Sequence, residues 1–307
     1  MSPRQLTVGI TTRNRPKALA ACLASLDPIA DLIDDVLVFD DASEPPATTA
    51  SAPAPLVDRV TVLRDAAAPG YIVGRNRLLE RAAGSLVLLL DDDTRILDRD
   101  SIAAALDVMR RDASIAAVGF AQANADGRPW PSAMQPASVA YPCLVASFIG
   151  FAHLLRRDVF VAVGGYRASF GYYGEEKEFC LRLLDAGFSV AYLPDARVAH
   201  LADPATRNAV RYLRYVVRND CLGALYNDPL TRLAWTLPAR LALYFRMRRA
   251  WKIADRGGLF WIVRELVAGL ADVRRHRRPV KRSTLRRWRE LRASAPPLTR
   301  FEASDAR

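Results

Sequence analysis

Cysteine is scarce in this chain and forms no pattern. The 307 residues include four cysteines that lie far apart, without any paired spacing: Cys22, Cys143, Cys180 and Cys221. This spacing argues against both a disulfide framework and a zinc site. A chain without a disulfide framework is typical of a reducing compartment, so we expect a cytoplasmic protein.

Long hydrophobic runs are also missing. The first five residues lead directly into a strand-like segment, without the apolar stretch of a secretory signal, so we expect no export. Residues 139–155 are mostly apolar, but Pro142, Gly150 and His153 interrupt them. Such a segment is too short and too broken to span a membrane, and it predicts a buried strand with a flanking loop.

Acidic residues become rare after residue 200. Residues 1–200 contain 20 Lys/Arg and 24 Asp/Glu, a net charge of −4, whereas residues 201–307 contain 24 and 9, a net charge of +15. This segregation predicts two regions. A catalytic or binding domain would occupy residues 1–202, and a helical, Arg-rich region at residues 203–307 would contact something anionic.

The most basic stretch is residues 274–292, with ten Lys/Arg, one acid, Trp288 and two leucines. Three interpretations stay open for it. It could contact anionic lipid headgroups. It could instead bind nucleic acid or the diphosphate of a lipid-linked acceptor. The third interpretation is a solvated helix face, balanced against an acidic body or a partner chain.

The first 100 residues alternate strand-like and helix-like segments. Buried strands are predicted at residues 6–10, 36–39, 60–63 and 85–90, and helices at residues 17–26 and 73–83. This alternation predicts an α/β fold with a doubly wound, mainly parallel, Rossmann-like sheet. Further on, a helix is predicted at residues 176–186 and a short strand at residues 190–193, and helix formers dominate after residue 203.

Aspartates follow two of the predicted strands, as Asp40-Asp41 and as Asp91-Asp92-Asp93. The carboxyl ends of parallel strands meet at one edge of a sheet, where ligands bind. Three adjacent carboxylates repel one another unless a cation neutralises them, and Mg²⁺ or Mn²⁺ favours a few carboxylates together with nucleotide phosphates. The alternatives are a solvated acidic turn for the triplet and a turn with a helix cap for the pair.

Four segments carry a family resemblance: Thr11–Pro16, Phe39–Ser43, Gly74–Asn76 and Leu90–Thr94. The order and spacing of these segments resemble those of the family 2 glycosyltransferases of the GT-A fold, and the resemblance covers about residues 5–200. Residues 215–219 are similar to an Arg-Asn element of rhamnosyltransferase-like bacterial members.

The resemblance implies a nucleotide-sugar site with a divalent cation. A UDP-, GDP- or dTDP-sugar would be held by residues that follow the strands or begin the second helix: Thr11, Thr12, Arg13, Asp41, Arg75, Asn76 and Asp92. Asp91 to Asp93 would be the Asp-X-Asp motif that binds Mg²⁺ or Mn²⁺ at the diphosphate, with Asp93 as the favoured ligand. Residues 192–200 resemble the segment in which some relatives supply a histidine ligand, here His200.

Gly174–Phe179 is similar to the Glu-Asp motif of the same family, whose second acid is the catalytic base. By position the base is Glu176, and Glu175 would orient the acceptor. Glu stands where the family more often has Asp, which leaves open which of the two acids does the work. Acids at the start of a helix are also explained as surface charges that match the helix dipole.

The function predicted first is metal-dependent, inverting transfer of a sugar from a nucleotide-diphosphate sugar to a hydroxyl of a glycan, lipid-linked or small-molecule acceptor. A nucleotidyltransferase acting on a sugar phosphate is the first alternative, but it usually needs a glycine-rich loop, and Thr11–Lys17 contains no glycine. A basic nucleic-acid-binding protein is the second, and it leaves the acidic first 200 residues unexplained. We therefore expect no nucleic acid partner. We expect an anionic membrane surface as a further partner, at the inner face of the cell membrane. Whether the chain forms an oligomer stays open.

Overall fold

The computed structural model of the chain describes residues 5–202 and 208–298. In this part of the chain, nine strands form one sheet. The strands are β1 (Leu6–Thr12), β2 (Asp35–Asp40), β3 (Val60–Arg64), β4 (Leu86–Asp91), β5 (Thr94–Ile96), β6 (Ile115–Ala123), β7 (Cys143–Leu144), β8 (Ala152–Arg156) and β9 (Ser189–His200). The α-helices are α1 (Pro16–Ala24), α2 (Tyr71–Arg81), α3 (Arg99–Arg111), α4 (Arg157–Ala162), α5 (Glu175–Asp185), α6 (Ala209–Asn227), α7 (Leu230–Ala250), α8 (Gly258–Ala268), α9 (Leu270–His276) and α10 (Arg282–Ser294).

The sheet has the order β3-β2-β1-β4-β8-β6-β9-β5, and β7 also pairs with β9. Six of the nine strands run in one direction, and β5, β7 and β8 run against them. The predicted fold class, a mainly parallel α/β sheet with a helical C-terminal region, is confirmed. The chain moves outward from β1 through β2 to β3 and then returns to place β4 on the other side of β1. Ligands bind at such a reversal of strand order.

The strand register brings the sequence motifs to this reversal. Thr12 lies opposite Asp40 across the β1–β2 pair, and Thr11 lies opposite Asp91 across the β1–β4 pair. Because all three strands are parallel, their carboxyl ends and the loops that follow form one rim of the sheet.

Apolar layers cover both faces of the sheet, as the unbroken hydrophobic run of β4 requires. Leu88 and Leu90 pack into one layer together with α1 and α3, whereas Val87 and Leu89 pack into the other with α2 and α5. Successive residues of a strand point to opposite faces, so both layers need apolar side chains. This packing explains why β4 contains no polar residue before Asp91.

Two strand predictions are corrected by pairings between distant segments. Residues 139–155 form two strands, β7 and β8, separated by a loop. The strand predicted at residues 190–193 extends to His200, because Leu193 and Arg197 lie opposite the adjacent residues Phe120 and Ala121 of β6. Residues 194–196 therefore have no partner in this register and form an irregularity in the strand. One of them is Pro194, and a proline in the sequence indicates the end of a strand.

The C-terminal helices pack against the first 200 residues. Leu213 and Val217 of α6 form a small core with Tyr244 of α7 and Ile262 of α8, while α10 lies along α5 and buries Trp288 in the second layer of the main core. The predicted boundary at residues 202/203 adjoins residues 203–207, which lie outside the described residues, so the two-region division stays a prediction. No helix among the described residues is both long and apolar enough to cross a membrane.

Candidate functional site

A cleft of 910 Å³ opens at the carboxyl ends of β1 and β4. Ten of the twelve residues predicted for the site line it: Thr11, Thr12, Arg13, Asp41, Arg75, Asp91, Asp92, Asp93, Glu176 and His200. These residues come from segments up to 189 positions apart, and the parallel strands bring them together.

The other two predicted residues lie behind the cleft wall. Asn76 uses both ends of its amide on the backbone of Tyr166, donating to its carbonyl at 2.8 Å and accepting from its N–H at 2.9 Å. Glu175 is 0% exposed and pairs with Arg75 at 2.9 Å. Both side chains therefore make contacts that position other residues, and the surface of the cleft is formed by their neighbours.

The two aspartates after β2 have different surroundings. Asp40 is fully buried and accepts hydrogen bonds from the N–H groups of Ser43 (2.8 Å) and Ala47 (3.0 Å) and from Arg64 (2.8 Å). Burial acts to raise the pKa of Asp40, but these bonds outweigh it and hold the pKa below its usual value. Asp40 thus shapes the loop, as the turn alternative predicted, and Asp41 is the acid that lines the cleft.

Asp92 is held from the first loop. Its carboxylate accepts a hydrogen bond from Thr12 Oγ1 at 2.7 Å and pairs with Arg15 at 2.6 Å. Burial raises the pKa of Asp92 to about 7, against the opposing effects of Arg15 and Thr12. The two partners thus offset the cost of burying this carboxylate only in part.

Arg15 is a cleft residue to which the sequence analysis assigned no role. Its guanidinium bridges Asp92 and Asp93, at 2.6 and 2.9 Å, and about half of its side chain is exposed. A cation therefore already neutralises this part of the aspartate triplet. The sequence offers one sign of this role, since Arg15 follows Arg13 by two positions in a loop expected to lie near the aspartates. The contacts themselves join Arg15 to residues 77 and 78 positions away, which no local pattern indicates.

Arg75 connects the aspartate triplet with the acids of α5. It is buried, and its guanidinium contacts Asp91 at 2.6 Å, the Gly150 carbonyl at 2.7 Å and Glu175 at 2.9 Å. Burial and the charge of Glu176 raise the pKa of Glu175, and Arg75 opposes them. One oxygen of Asp91, Oδ1, is thereby paired with Arg75, and the role of metal ligand stays a prediction for Asp91.

Glu176 is the acid of α5 that faces the cleft. Its side chain is 18% exposed, and the nearest guanidinium nitrogen of Arg75 is 3.8 Å from its Oε1. Burial raises the pKa of Glu176, and the nearby Arg75 opposes this. A Cβ at position 150 would overlap Glu176 Oε1, so a larger residue in place of Gly150 would displace this carboxylate.

Asp93 and His200 lie next to each other in the cleft. The distance between Asp93 Oδ1 and His200 Nε2 is 3.7 Å, and this buried Oδ1 has no hydrogen-bond partner among the described residues. The His200 ring lies between those of Trp130 and Phe151, and its Nδ1 is 2.6 Å from Gln122 Oε1. A histidine fixed at Nδ1 by an acceptor presents Nε2 in the manner of a metal ligand.

Within residues 5–202 and 208–298, no group of three or more His, Cys, Asp and Glu side chains is arranged to hold a metal ion. Asp93 and His200 nevertheless fit a divalent cation as two ligands of a set that phosphate oxygens would complete, because such ions take few protein ligands when they bind with a nucleotide. The unpartnered Oδ1 of Asp93 is the observation that supports this fit.

The aromatic loop before α5 forms the opposite wall of the cleft with Tyr172 and Tyr173. Tyr71 joins this loop to the acids of α5, since its hydroxyl accepts from the Tyr173 N–H at 2.9 Å and donates to Glu175 at 3.2 Å. Asn219 of α6 donates to the carbonyls of Phe170, Tyr172 and Tyr173 at 3.0, 2.7 and 2.6 Å. The C-terminal region therefore holds a cleft loop in place.

Replacing Asn219 with alanine is expected to loosen this loop. The carbonyls of Tyr172 and Tyr173, both part-buried, would lose this donor, and that of Phe170 would keep only its others, which costs about 1–3 kcal/mol of stability. Amide hydrogen exchange across residues 170–174 should become faster than in the wild-type protein. Asn208→Ala is the control, because it removes the cap on Arg211 N–H at the start of the same helix and none of the three bonds to the loop. Equal exchange rates in both variants would contradict the role given to Asn219.

The comparisons with known proteins agree with this geometry. The chain matches the description "Glycosyl transferase family 2" over residues 7–168, and the search of the curated proteins found no match. GalNAc-T7, solved with UDP, GalNAc and Mn²⁺, is similar in structure with a TM-score of 0.58 and 16% identity. The similarity covers 88% of this chain, which spans only 58% of that protein.

Two further solved structures are similar over most of their length. The mannosyltransferase PcManGT from Pyrobaculum calidifontis, in complex with GDP-Man and Mn²⁺, has a TM-score of 0.55, 17% identity and coverage of 95% of this chain and 85% of that one. S. aureus TarS 1–349 has a TM-score of 0.53, 16% identity and coverage of 80% and 72%. At these identities the structures establish the fold, whereas the family match spans more than half of the chain. The chain therefore belongs to glycosyl transferase family 2.

Proposed function

We propose that the protein catalyses metal-dependent, inverting transfer of a sugar from a nucleotide-diphosphate sugar to an acceptor hydroxyl. The single observation that carries this proposal is that one cleft holds three kinds of group. They are the carboxylates of Asp41 and Asp92, the Asp93–His200 pair and the carboxylate of Glu176. A donor, its diphosphate and an acceptor need these groups side by side.

The nucleoside would lie against Asp41 and Asp92. Carboxylate oxygens accept hydrogen bonds, which suits the hydroxyls of a ribose and the N–H groups of a base. The two structural neighbours named with UDP and with GDP-Man support a nucleotide-sugar donor, of the UDP, GDP or dTDP type. Arg13 and Arg15, at the same end of the cleft, supply positive charge for the diphosphate.

Asp93 and His200 would hold Mg²⁺ or Mn²⁺, and Asp91 would join them through its second oxygen, because Arg75 pairs with Oδ1. When bound, the cation supplies a Lewis acid that neutralises charge on the departing diphosphate. The protein's own contribution is to fix the ligands: Gln122 orients His200, and Trp130 and Phe151 hold its ring. Neighbours solved with Mn²⁺ support a divalent cation in this fold.

Glu176 accepts the proton of the acceptor hydroxyl as that oxygen attacks the anomeric carbon. Its raised pKa favours this role, because a stronger base takes a proton more readily. The hydroxyl approaches from the side opposite the diphosphate, so a single displacement inverts the anomeric centre. Glu175 would act through Arg75 and Tyr71, which position the wall around Glu176.

A panel of nucleotide-sugars tests this proposal. UDP-, GDP- and dTDP-sugars are each mixed with the protein and Mn²⁺, and the melting temperature is measured. The cognate donor should stabilise the fold by about 2.7 kcal/mol at a concentration a hundred times its Kd, which raises Tm by several degrees. Sugar 1-phosphates without a nucleoside and samples with a chelator are the controls. A panel without any Mn²⁺-dependent shift would contradict the proposed donor class.

We propose a cytoplasmic location at the inner face of the cell membrane, with an anionic membrane surface as partner. The net charge of +15 in residues 201–307 supports this location. The acceptor hydroxyl would then belong to a glycan, a lipid-linked sugar or a small molecule at that surface.

A further inference from the structure

Helices α7 and α8 are apolar on two opposite sides. Their inner sides pack on α6, where Tyr244 and Ile262 are buried in the small core with Leu213 and Val217. A helix that covers a core normally has a polar outer side. The outer sides of these two helices do not follow that rule.

The outer side of each helix repeats large or apolar residues at one spacing. On α7 the exposed residues Trp235, Pro238, Ala242 and Phe245 recur at intervals of three and four, and from α8 into α9 so do Phe260, Val263, Val267 and Leu270. This spacing keeps each set on one side of its helix. We call these two exposed sets together the α7–α8 face.

Exposure of this kind is concentrated in the α7–α8 region. Trp235 is 79% exposed and Phe260 is 75% exposed. Of the twelve large hydrophobic residues exposed in the described part of the chain, eight lie between Leu230 and Leu270. A concentration of exposed apolar side chains marks an interaction surface on a folded protein.

The charges around this face have one sign. The exposed cations between residues 230 and 275 are Arg246, Arg248, Arg249, Lys252, Arg256, Arg264, Arg274 and Arg275. The three acids in the same span are not exposed: Asp255 is buried against Arg214, and Glu265 and Asp272 are half-buried. A partner that fits this region therefore offers both apolar and anionic groups.

We propose that the α7–α8 face binds the anionic surface of a lipid bilayer. Aromatic and aliphatic side chains of such a face enter the boundary between headgroups and acyl chains, while Lys and Arg contact the anionic headgroups. A second copy of the chain meets the face less well, because the same cations would oppose one another across a symmetric contact.

The structure also shows which part of the basic C-terminal region has apolar side chains available. In the stretch 274–292, Leu285, Trp288 and Leu291 are buried, with Trp288 and Leu291 in the main core, so this stretch can offer a bilayer only its cations.

The Trp251 ring packs on Tyr212, with ring centroids 5.6 Å apart, and Tyr212 lines the cleft. Helices at the bilayer would thus lie directly behind one wall of the cleft.

Vesicle binding by the full chain tests this proposal. The protein is sedimented with phosphatidylcholine vesicles and with vesicles that also contain phosphatidylglycerol. We expect binding to the anionic vesicles, weakened by high salt. The double variant Trp235→Ser/Phe260→Ser should bind them about tenfold or more weakly, because two interfacial side chains are lost. The double variant Val57→Ser/Val161→Ser is the control, since both valines are 54% exposed away from this face.

A second measurement keeps the test independent of how the variants fold. In the wild-type protein, brominated lipids should quench tryptophan fluorescence, and Trp235→Phe should reduce that quenching. Equal binding to neutral and anionic vesicles, no binding, or equal losses in the two double variants would each overturn the proposal. A dimer that Trp235→Ser dissociates, without vesicle binding in the wild type, would assign the face to a second copy. The face deepens the membrane location proposed above, but vesicle binding depends only on its exposed side chains and charges, so vesicle binding without sugar transfer would refute the proposed activity alone.

Discussion

Replacing Glu176 with glutamine is expected to abolish sugar transfer and to leave donor binding intact. Glutamine keeps the size of the side chain but cannot accept the proton of the acceptor hydroxyl. General base catalysis contributes about 10²- to 10⁴-fold to a rate, so kcat should fall by at least that lower bound. Transfer is measured with the cognate donor and acceptor, and donor binding by titration calorimetry with Mn²⁺.

Glu175→Gln is the matched control, since it makes the same chemical change one position earlier. Glu175 is fully buried and pairs with the buried Arg75 at 2.9 Å, so this variant should lose stability as well as activity. Leaving a buried charge without its partner costs about 3–5 kcal/mol. The loss is smaller here, because Arg75 keeps Asp91 at 2.6 Å and the raised pKa of Glu175 shows that burial disfavours its charged form, so we expect a modest drop in Tm. Glu176→Gln should change Tm little, because 18% of its side chain is exposed and Arg75 is 3.8 Å away.

The two variants together assign the base. Loss of donor binding in Glu176→Gln would contradict its role as a base and would place it in the donor site. Near-normal transfer in Glu176→Gln, with transfer lost in a stable Glu175→Gln protein, would move the base to Glu175. The open choice between the two acids is thereby decided by a difference in both kcat and Tm.

The fold could be predicted because it follows from local patterns, and most of the cleft residues could be predicted because the family resemblance points to them. The apolar run of β4 and the aspartates that follow it indicate a buried strand whose end lies at a ligand-binding rim. The parallel register then brings Thr11 opposite Asp91 without any further information. Strand 190–193 was predicted too short because its continuation depends on the irregular pairing with β6.

The partners of individual side chains could not be predicted in the same way. Arg15 contacts Asp92 across 77 positions, and Asn76 contacts Tyr166 across 90. A sequence motif gives the position of a residue along the chain, whereas these contacts depend on how loops and helices meet in three dimensions. Asn76 belongs to a family-like segment, yet its amide is used by the Tyr166 backbone.

Replacing Asp93 with alanine is expected to remove Mn²⁺-dependent donor binding and to reduce transfer by at least about 100-fold. Losing even a residue that only hydrogen-bonds to a metal ligand costs about 10- to 100-fold in metal affinity or activity, and losing a ligand itself should cost more. Asp93 Oδ1 faces His200 Nε2 at 3.7 Å and lacks a hydrogen-bond partner among the described residues, so it is the best placed carboxylate oxygen for a cation. Binding is measured as the loss of free Mn²⁺ signal in electron paramagnetic resonance, with and without a nucleoside diphosphate. Asp195→Ala is the matched control, because the Asp195 side chain is 87% exposed and lies outside the cleft.

Arg15→Ala separates the role of the cation from that of the diphosphate. Arg15 pairs with Asp92 and Asp93, so it competes with a cation for the same carboxylates. Without nucleotide, this variant should bind Mn²⁺ more tightly than the wild-type protein, because like charge no longer opposes the ion. With a nucleoside diphosphate the order should reverse, since the guanidinium that would contact the phosphates is lost. Unchanged Mn²⁺ binding in both Asp93→Ala and Arg15→Ala would contradict a cation site at Asp93, and the Arg15 bridge would then be a purely structural contact.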